Sequence, residues 1–576
     1  MDEREDDVTA ARQFLRPMVT FAPGPKRRWV ALRAAVAAAL PLVGISLLGN
    51  PEHAFMAGLG VFAVLYGASG PVRRRFRTIP LAGAGLLLAI CLGILSSGYP
   101  TLAIVVMAFV ATVAALLTYS LGIGPPAAFF FALDVGIANL AATGGAPPTM
   151  LLGYAAVGVL SAIVVGTSDA WLGVTGIEED AVSSAEDLVG AYVAEQDPDR
   201  IPRARRTAAS ALNRAWTAVT DGGTEEAFEG RLQRLNNRYS SRVARAVGSP
   251  DSDVTAEMAL VETARVRQIS LGRPRATWSL RQALRWPSED LLVAVRVLLA
   301  TLIAGGIAIL LDNAHAYWAA AFAVLVVQTG GTRVSQLQRA LHRTVGTAAG
   351  LLVFAVILKL DPGHWWLVLL IPCFQGAVEL LVTRNYTVAV TFITPLALMI
   401  ASRLTQMDTE TIIADRALDT VIGVGVAVLV LVVSGRLGRP ELLLRAHARR
   451  VVLALADVLD DLADRRTRTE AEMAAHLDHC RQLYVELIGS DVVANRAHAD
   501  APEAVAPYRE MEQLLADIGY LVLGATWHPQ VRGQRERMAA ARTELAAIVD
   551  HPVGRKRPAA DITRDLRRVE AALMDG

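Results

Sequence analysis

The sequence predicts an all-α integral membrane protein of about twelve transmembrane helices, built as two parallel six-helix repeats, each followed by a helical cytoplasmic region. Three observations predict it. The 576 residues are 53% hydrophobic with a mean hydropathy of +0.38. The apolar residues collect in two blocks, near 30–173 and 291–434, that break into nearly uncharged runs. The blocks also resemble each other in sequence. A run of about 20 apolar residues spans a ~30 Å hydrocarbon core as a helix, the form that satisfies its own backbone there. The runs do not alternate as barrel strands would.

In chain order, residues 1–29 read as a cytoplasmic N-terminal segment. The acidic start MDEREDD and the long first apolar run lack a cleavage pattern, so no removable signal peptide is expected. The first membrane repeat, 30–173, holds spans Val30–Leu48, Ala54–Ser69, Ile79–Ser97, Pro100–Leu121, Gly124–Ala142 and Thr149–Gly173. A helical cytoplasmic domain follows over 174–290. The second repeat, 291–434, holds Leu291–Leu311, Ala316–Gly330, Val345–Leu360, Trp365–Val382, Tyr386–Ala401 and Leu418–Ser434, and a helical cytoplasmic domain occupies 435–576.

Basic residues in short loops orient the spans. With the N-terminus inside, Arg73, Arg74, Arg75, Arg77, Arg333, Arg339, Arg343 and Arg384 fall in inside loops, whereas the outside connections hold Lys359, Arg403 and Arg416. Both termini are then cytoplasmic, in a bacterial inner membrane. Cys91, Cys373 and Cys480 make no disulfide framework. No phosphate-binding loop, nucleophile elbow or metal-ligand spacing is present. Neither an enzyme, nor a cofactor, nor a nucleic-acid partner is expected.

The repeat is legible in short matches. Glu52-His53-Ala54-Phe55-Met56-Ala57 corresponds to Ala314-His315-Ala316-Tyr317-Trp318-Ala319, Arg33 to Arg296, and Arg77-Thr78 to Arg343-Thr344, at offsets of roughly 262–266 residues. Six spans per half is even, so both halves point the same way.

The second block is the more specific. It reads His315-Ala-Tyr317-Trp318, Val327-Gln328-Thr329, Arg339-Ala-Leu-His342-Arg343-Thr-Val-Gly346-Thr347-Ala-Ala-Gly350, Arg384-Asn385-Tyr386, Phe392-Ile-Thr394-Pro395 and Asp415-Arg416-Ala-Leu-Asp419-Thr420-Val-Ile-Gly423. This resembles the fusaric-acid-resistance-type (FUSC) family, also described as aromatic acid exporters. The match is good over 285–435 and degenerate over 25–175, which lacks the Tyr-Trp pair and the Gly-Thr step. The resemblance implies an inner-membrane, proton-motive exporter of aromatic or other lipophilic organic acids, with a periplasmic adaptor partner in some members. Family functional residues are poorly defined, so none is carried over. Similarity to plant malate-channel-like proteins keeps a gated anion channel open. A scaffold that positions envelope proteins without substrate flux is the third reading.

The candidate site residues come from polarity within the spans. Asp134 stands deep in Phe129-Phe-Phe-Ala-Leu-Asp134, where an ionised carboxylate costs about 3 kcal/mol or more. It reads as a proton-coupling group, with Asn139 beside it, or more plainly as a helix–helix hydrogen bond. Glu379 reads as a proton relay or as an ion pair with Arg384 or Arg343. His53 and His315, at equivalent helix ends, are proton-relay candidates or interfacial anchors beside Tyr317 and Trp318. Arg33 and Arg296, one turn into their spans, either snorkel to headgroups or hold a substrate carboxylate. Thr391 and Thr394 flank Pro395, whose kink frees backbone groups to line a cavity.

Arg231, Arg234, Arg238, Arg242 and Arg245 share one face of a helix. The stripe reads as a solvated, salt-bridged face or as an attractor for anionic substrate and lipid headgroups. The partners expected are membrane lipids and a small organic anion. A second copy of the chain and an adaptor protein remain open.

Overall fold

The computed structural model describes residues 16–23, 27–172, 176–246, 272–313, 315–360, 362–405, 409–437, 440–464, 469–527, 534–550 and 557–574. They are helical, with no strand among the described residues. The first half contains α1 (Arg28–Leu47), α2 (Ala57–Val61, between 3-10 turns Ala54–Met56 and Phe62–Leu65), α3 (Val72–Leu95), α4 (Pro100–Ser120), α5 (Phe129–Thr143), α6 (Pro148–Gly166) and the short α7 (Asp169–Leu172). Then come α8 (Gly176–Ala194), α9 (Ile201–Gly222), α10 (Glu225–Ala246) and α11 (Ala276–Leu284). The second half contains α12 (Glu289–Leu310), α13 (Ala316–Val327), α14 (Arg333–Lys359), α15 (His364–Leu381), α16 (Tyr386–Thr405) and α17 (Thr409–Leu437). The C-terminal segment folds as α18 (Pro440–Ala463), α19 (Glu470–Asp500), α20 (Pro502–Val505), α21 (Arg509–Trp527), α22 (Gln534–Asp550) and α23 (Ala559–Met574).

Two compact units result, one from 1–174 with 280–437 and the other from 175–279 with 438–576. In the first unit, nine described helices are long and apolar enough to cross a membrane, and three shorter apolar segments, Ala54–Leu65, Phe129–Thr143 and Ala316–Val327, lie among them. The chain is an all-α, multi-pass membrane protein.

Local signals set the helix starts. Proline opens α4 and α6 at a position whose N–H has no helical partner anyway. Ser288 caps α12 by accepting from the Leu291 N–H at 3.1 Å, and Glu289 and Asp290 load its first turn with negative charge. Thr332 caps α14 through the Ser335 N–H at 3.2 Å.

These starts correct four expectations. Helix α3 begins at Val72 and not at Ile79, so Arg73, Arg74, Arg75 and Arg77 occupy its first turns and not a loop. Helix α14 begins at Arg333 and carries Arg339 and Arg343, and α17 begins at Thr409 and carries Arg416. Hydropathy marks where charge stops, whereas the backbone continues helically past it. In the other direction, α5 begins at Phe129 and not at Gly124. Pro125 and Pro126 cannot donate into a helix and bias their predecessors away from it.

The packing of the membrane unit is reciprocal. Helix α4 lies along α12 and α15 lies along α1, so the fourth helix of each half packs on the first helix of the other. Likewise α5 packs on α13, and α16 on the Ala54–Met56 turn. Within each half a glycine brings the last helix against the short second one: Gly158 of α6 meets the Ala57 carbonyl, and Gly423 of α17 meets the Ala319 carbonyl.

The second unit has its own core, in which Leu212, Trp216, Leu232, Tyr239, Leu455, Tyr484, Leu515 and Leu566 are buried together. The Tyr484 hydroxyl donates to the Ala209 carbonyl, and Arg205 pairs with Asp517. The two polar segments thus fold as one body.

Candidate functional site

Charged groups within the membrane unit concentrate around α13. This helix has 12 residues, 11 of them buried, and it is apolar on every side. His315, Tyr317 and Trp318 stand at its start, against α17. The His315 Nδ1 lies 2.7 Å from an Asp415 carboxylate oxygen. The Asn313 amide donates to Asp419 at 2.9 Å.

Between those two carboxylates on α17 sits Arg416, 1% exposed. Its guanidinium carbon is 3.3 Å from the Trp318 ring centroid and 4.5 Å from that of Phe322. No hydrogen bond reaches any of its three nitrogens among the described residues. Arg343 of α14, equally buried, comes to 4.6 Å from the Phe322 ring and faces the Tyr386 hydroxyl. Two guanidiniums therefore share one phenyl ring. His315, Tyr317, Trp318, Leu398, Ala401, Asp415, Arg416 and Asp419 line a narrow pocket here. A second, apolar pocket lies where α1 and α2 meet α15 and α16, with Gln375 as its polar member beside Phe55, Phe62 and Ile400.

Asp134 lies on α5, fully buried, with no hydrogen-bond partner on either carboxylate oxygen among the described residues. Two residues on, Gly136 packs on the Tyr317 side chain, so α5 meets α13 there, with Asp134 on the other side of α5. Asn139 is not Asp134's partner. It donates to the Ser96 hydroxyl at 3.3 Å and to the Gly93 carbonyl at 3.5 Å, tying α5 to α3.

Several anticipated residues are occupied elsewhere. Arg33 does not snorkel: it is buried and pairs with Asp169. The same carboxylate accepts from Arg75 at 2.7 Å. Glu379 pairs with Arg27 at 2.6 Å, and not with Arg384 or Arg343, because α15 packs on α1 and brings the residue preceding that helix alongside. Thr391 and Thr394 donate to the carbonyls of Thr387 and Val390 in their own helix. The Thr394 side chain packs where Gly350 leaves room, so both serve the α14–α16 contact. His53 stacks on Tyr154 with centroids 5.4 Å apart. Arg296 is half-buried and engaged within the fold.

The arginine stripe is split. Arg231 pairs with Glu179 and Glu186 of α8 at 2.7 and 2.8 Å, and Arg242 donates to the Glu195 carbonyl. The hydrogen bond from Arg231 holds the Glu186 carboxyl below its usual range. Arg234 and Arg238 are exposed, and the Arg245 side chain lies outside the described residues.

Reading the sequence missed Arg343, Arg416, Asp419 and Asp169. The signal was present as charge at the edge of an apolar run, Asp415-Arg416 with Asp419 one turn on; Arg343 and Arg416 were assigned to loops, whereas Asp419 and Asp169 fell near the ends of the expected spans Leu418–Ser434 and Thr149–Gly173, where charge signals no buried group.

Comparison with known proteins agrees with the resemblance. Residues 300–430 match the family described as fusaric acid resistance protein-like. The chain is also similar to the uncharacterized membrane protein YvaC of Bacillus subtilis (strain 168), at 25% identity over 457 residues, 68% of this chain and 71% of that one. No solved structure matches it.

Proposed function

Proceeding from a multi-pass membrane protein whose residues 300–430 match the fusaric acid resistance protein-like family, we propose a secondary transporter of the bacterial cytoplasmic membrane that exports aromatic or other lipophilic organic acids, coupled to protons. In this reading the nine long and three short apolar helices form two parallel six-helix repeats, with both termini and the second compact unit in the cytoplasm. The reciprocal packing of α4 on α12 and of α15 on α1 supports such a two-fold relation.

Asp134 carries the proposal. A carboxyl group that no hydrogen bond or ion pair holds among the described residues can gain or lose its proton without breaking a contact seen there. Placed inside an apolar core, it belongs to the class of groups that mark proton and substrate paths. Its helix touches α13 through Gly136, so a shift of α5 that accompanies proton uptake at Asp134 is passed to the aromatic site.

A second reading, a gated anion channel, draws on the two buried arginines beside Phe322, since fixed positive charge favours passive anion flux. Flux of organic acids into proteoliposomes, with and without a pH gradient, separates the two. Gradient-driven accumulation that disappears in Asp134→Asn is the expected result. Equal flux without a gradient in both proteins supports the channel, and no flux at all leaves a scaffold.

A further inference from the structure

We propose that Arg416 is the anion-binding residue of the membrane unit and that its ligand is a small carboxylate, gripped edge-on by a guanidinium packed over Trp318. The proposal names the ligand-binding residue for the transport reading and rests on that reading for its consequence. Four observations lead to it.

First, Arg416 is 1% exposed and inside the apolar unit. A buried charge there needs compensation. Second, the compensation is incomplete. The rings of Trp318 and Phe322 attract the cation through their faces. All three nitrogens nevertheless lack a hydrogen-bond partner among the described residues. Of the two neighbouring carboxylates, Asp415 is engaged by His315; Asp419 takes the Asn313 amide on one oxygen, and its other oxygen attracts Arg416 without a hydrogen bond among the described residues.

Third, orientation follows from the stacking. A guanidinium packed over an indole face has its N–H groups in its own plane, directed sideways and not into the ring. That edge is a planar fork whose spacing matches the two oxygens of a carboxylate. A spherical anion meets the fork at one point and gains less. Fourth, the pocket that Arg416 lines has free space for about one water-sized molecule and is walled by Tyr317, Trp318, Leu398 and Ala401, so it favours the smallest carboxylates, and a larger acid enters only as it widens. Arg343, on the same Phe322 ring, adds a second positive charge that favours an anion between the helices. Asp415 and Asp419 oppose it, which limits the site to a weakly held, exchangeable ligand.

The test is calorimetric titration of the full-length protein in lipid nanodiscs with sodium acetate, sodium benzoate and sodium chloride at matched ionic strength. The wild-type protein is expected to give saturable binding of at least one carboxylate, tighter than chloride. Arg416→Gln should weaken it by about a hundredfold, the loss typical of a truncated buried charge pair. Arg416→Lys retains the charge and guards against a variant that does not fold. It should weaken carboxylates by about tenfold because the fork is lost.

Wild-type affinity in either variant, chloride bound as tightly as the carboxylates, or no saturable binding in the wild-type protein each overturns the proposal. Flux measured on the same proteins keeps the two readings apart. Carboxylate binding that depends on Arg416, with no flux, removes transport and leaves the site. Gradient-driven flux with unchanged binding in Arg416→Lys removes the site and leaves transport.

Discussion

Gly423 lies against the carbonyl oxygen of Ala319 so closely that a β-carbon at Gly423 would stand 2.5 Å from that oxygen. The same contact recurs in the first half, where a β-carbon on Gly158 would stand 2.0 Å from the Ala57 oxygen. Both obstacles are backbone, which cannot swing aside as a side chain would. Gly158→Val and Gly423→Val should therefore each destabilise the membrane unit by about 3 kcal/mol. Gly153→Ala and Gly425→Ala, in the same two helices but with nothing within 4 Å, should leave stability unchanged or raise it by about 0.5 kcal/mol. Thermal unfolding in detergent compares the four, and equal midpoints for the valine and alanine variants would contradict the close approach.

Asp169 neutralises two arginines that start from different helices, Arg33 on α1 and Arg75 on α3. Arg75 is almost wholly enclosed, whereas the Asp169 side chain retains 21% exposure. Asp169→Asn leaves both cations without their anion and should cost about 3 kcal/mol. Asp169→Glu keeps the charge and should lose less. Yields and unfolding midpoints of the two variants, measured side by side, check the order.

His447 makes a pH prediction for the second unit. Burial, with Arg450 beside it, pushes its imidazole down to about 3. The unfolded chain takes up that proton near 6.5, while the folded chain does not until far lower. Between these values the unfolded state holds more protons, so stability falls as the pH falls. His479 works the other way. Its hydrogen bond to Asp461 raises it, so its contribution is fully present below about 6.5 and is lost as the pH rises through its folded value. His447→Gln should reduce the loss of stability between pH 7 and pH 5 by about 2 kcal/mol. Unfolding of the second unit followed at both pH values reads it, and an unchanged pH slope would remove His447 as its source.

The arginine stripe should prove uneven. Arg231→Ala breaks two ion pairs whose acidic partners are well exposed, which points to a loss of about 0.5–1 kcal/mol. Arg234→Ala and Arg238→Ala, on the solvent side of α10, should change stability by less than about 0.5 kcal/mol. Denaturant unfolding of the three variants decides whether the stripe is structural at one end only.

How far the sequence could be read depended on where each residue finds its partner. Apolar runs report themselves, since they need only lipid or one another, and the short segments at Ala54 and Ala316 stood out by length alone. The isolation of Asp134 within its run was equally visible. The pairing of Glu379 with Arg27 spans 352 positions and depends on one half packing on the other, which no local pattern encodes. Arg343 and Arg416 were hidden for a different reason. Their side chains pack on aromatic rings inside the unit, so a rule that ends spans at the first cation places them in water.

The brevity of α13 has a consequence for its ends. Its 12 residues rise about 18 Å, against roughly 30 Å for a hydrocarbon film. A helix of that length does not reach both faces of a film that its longer neighbours cross. The backbone groups at its ends, beside His315 and Gln328, must then find their partners in protein and not in water or lipid.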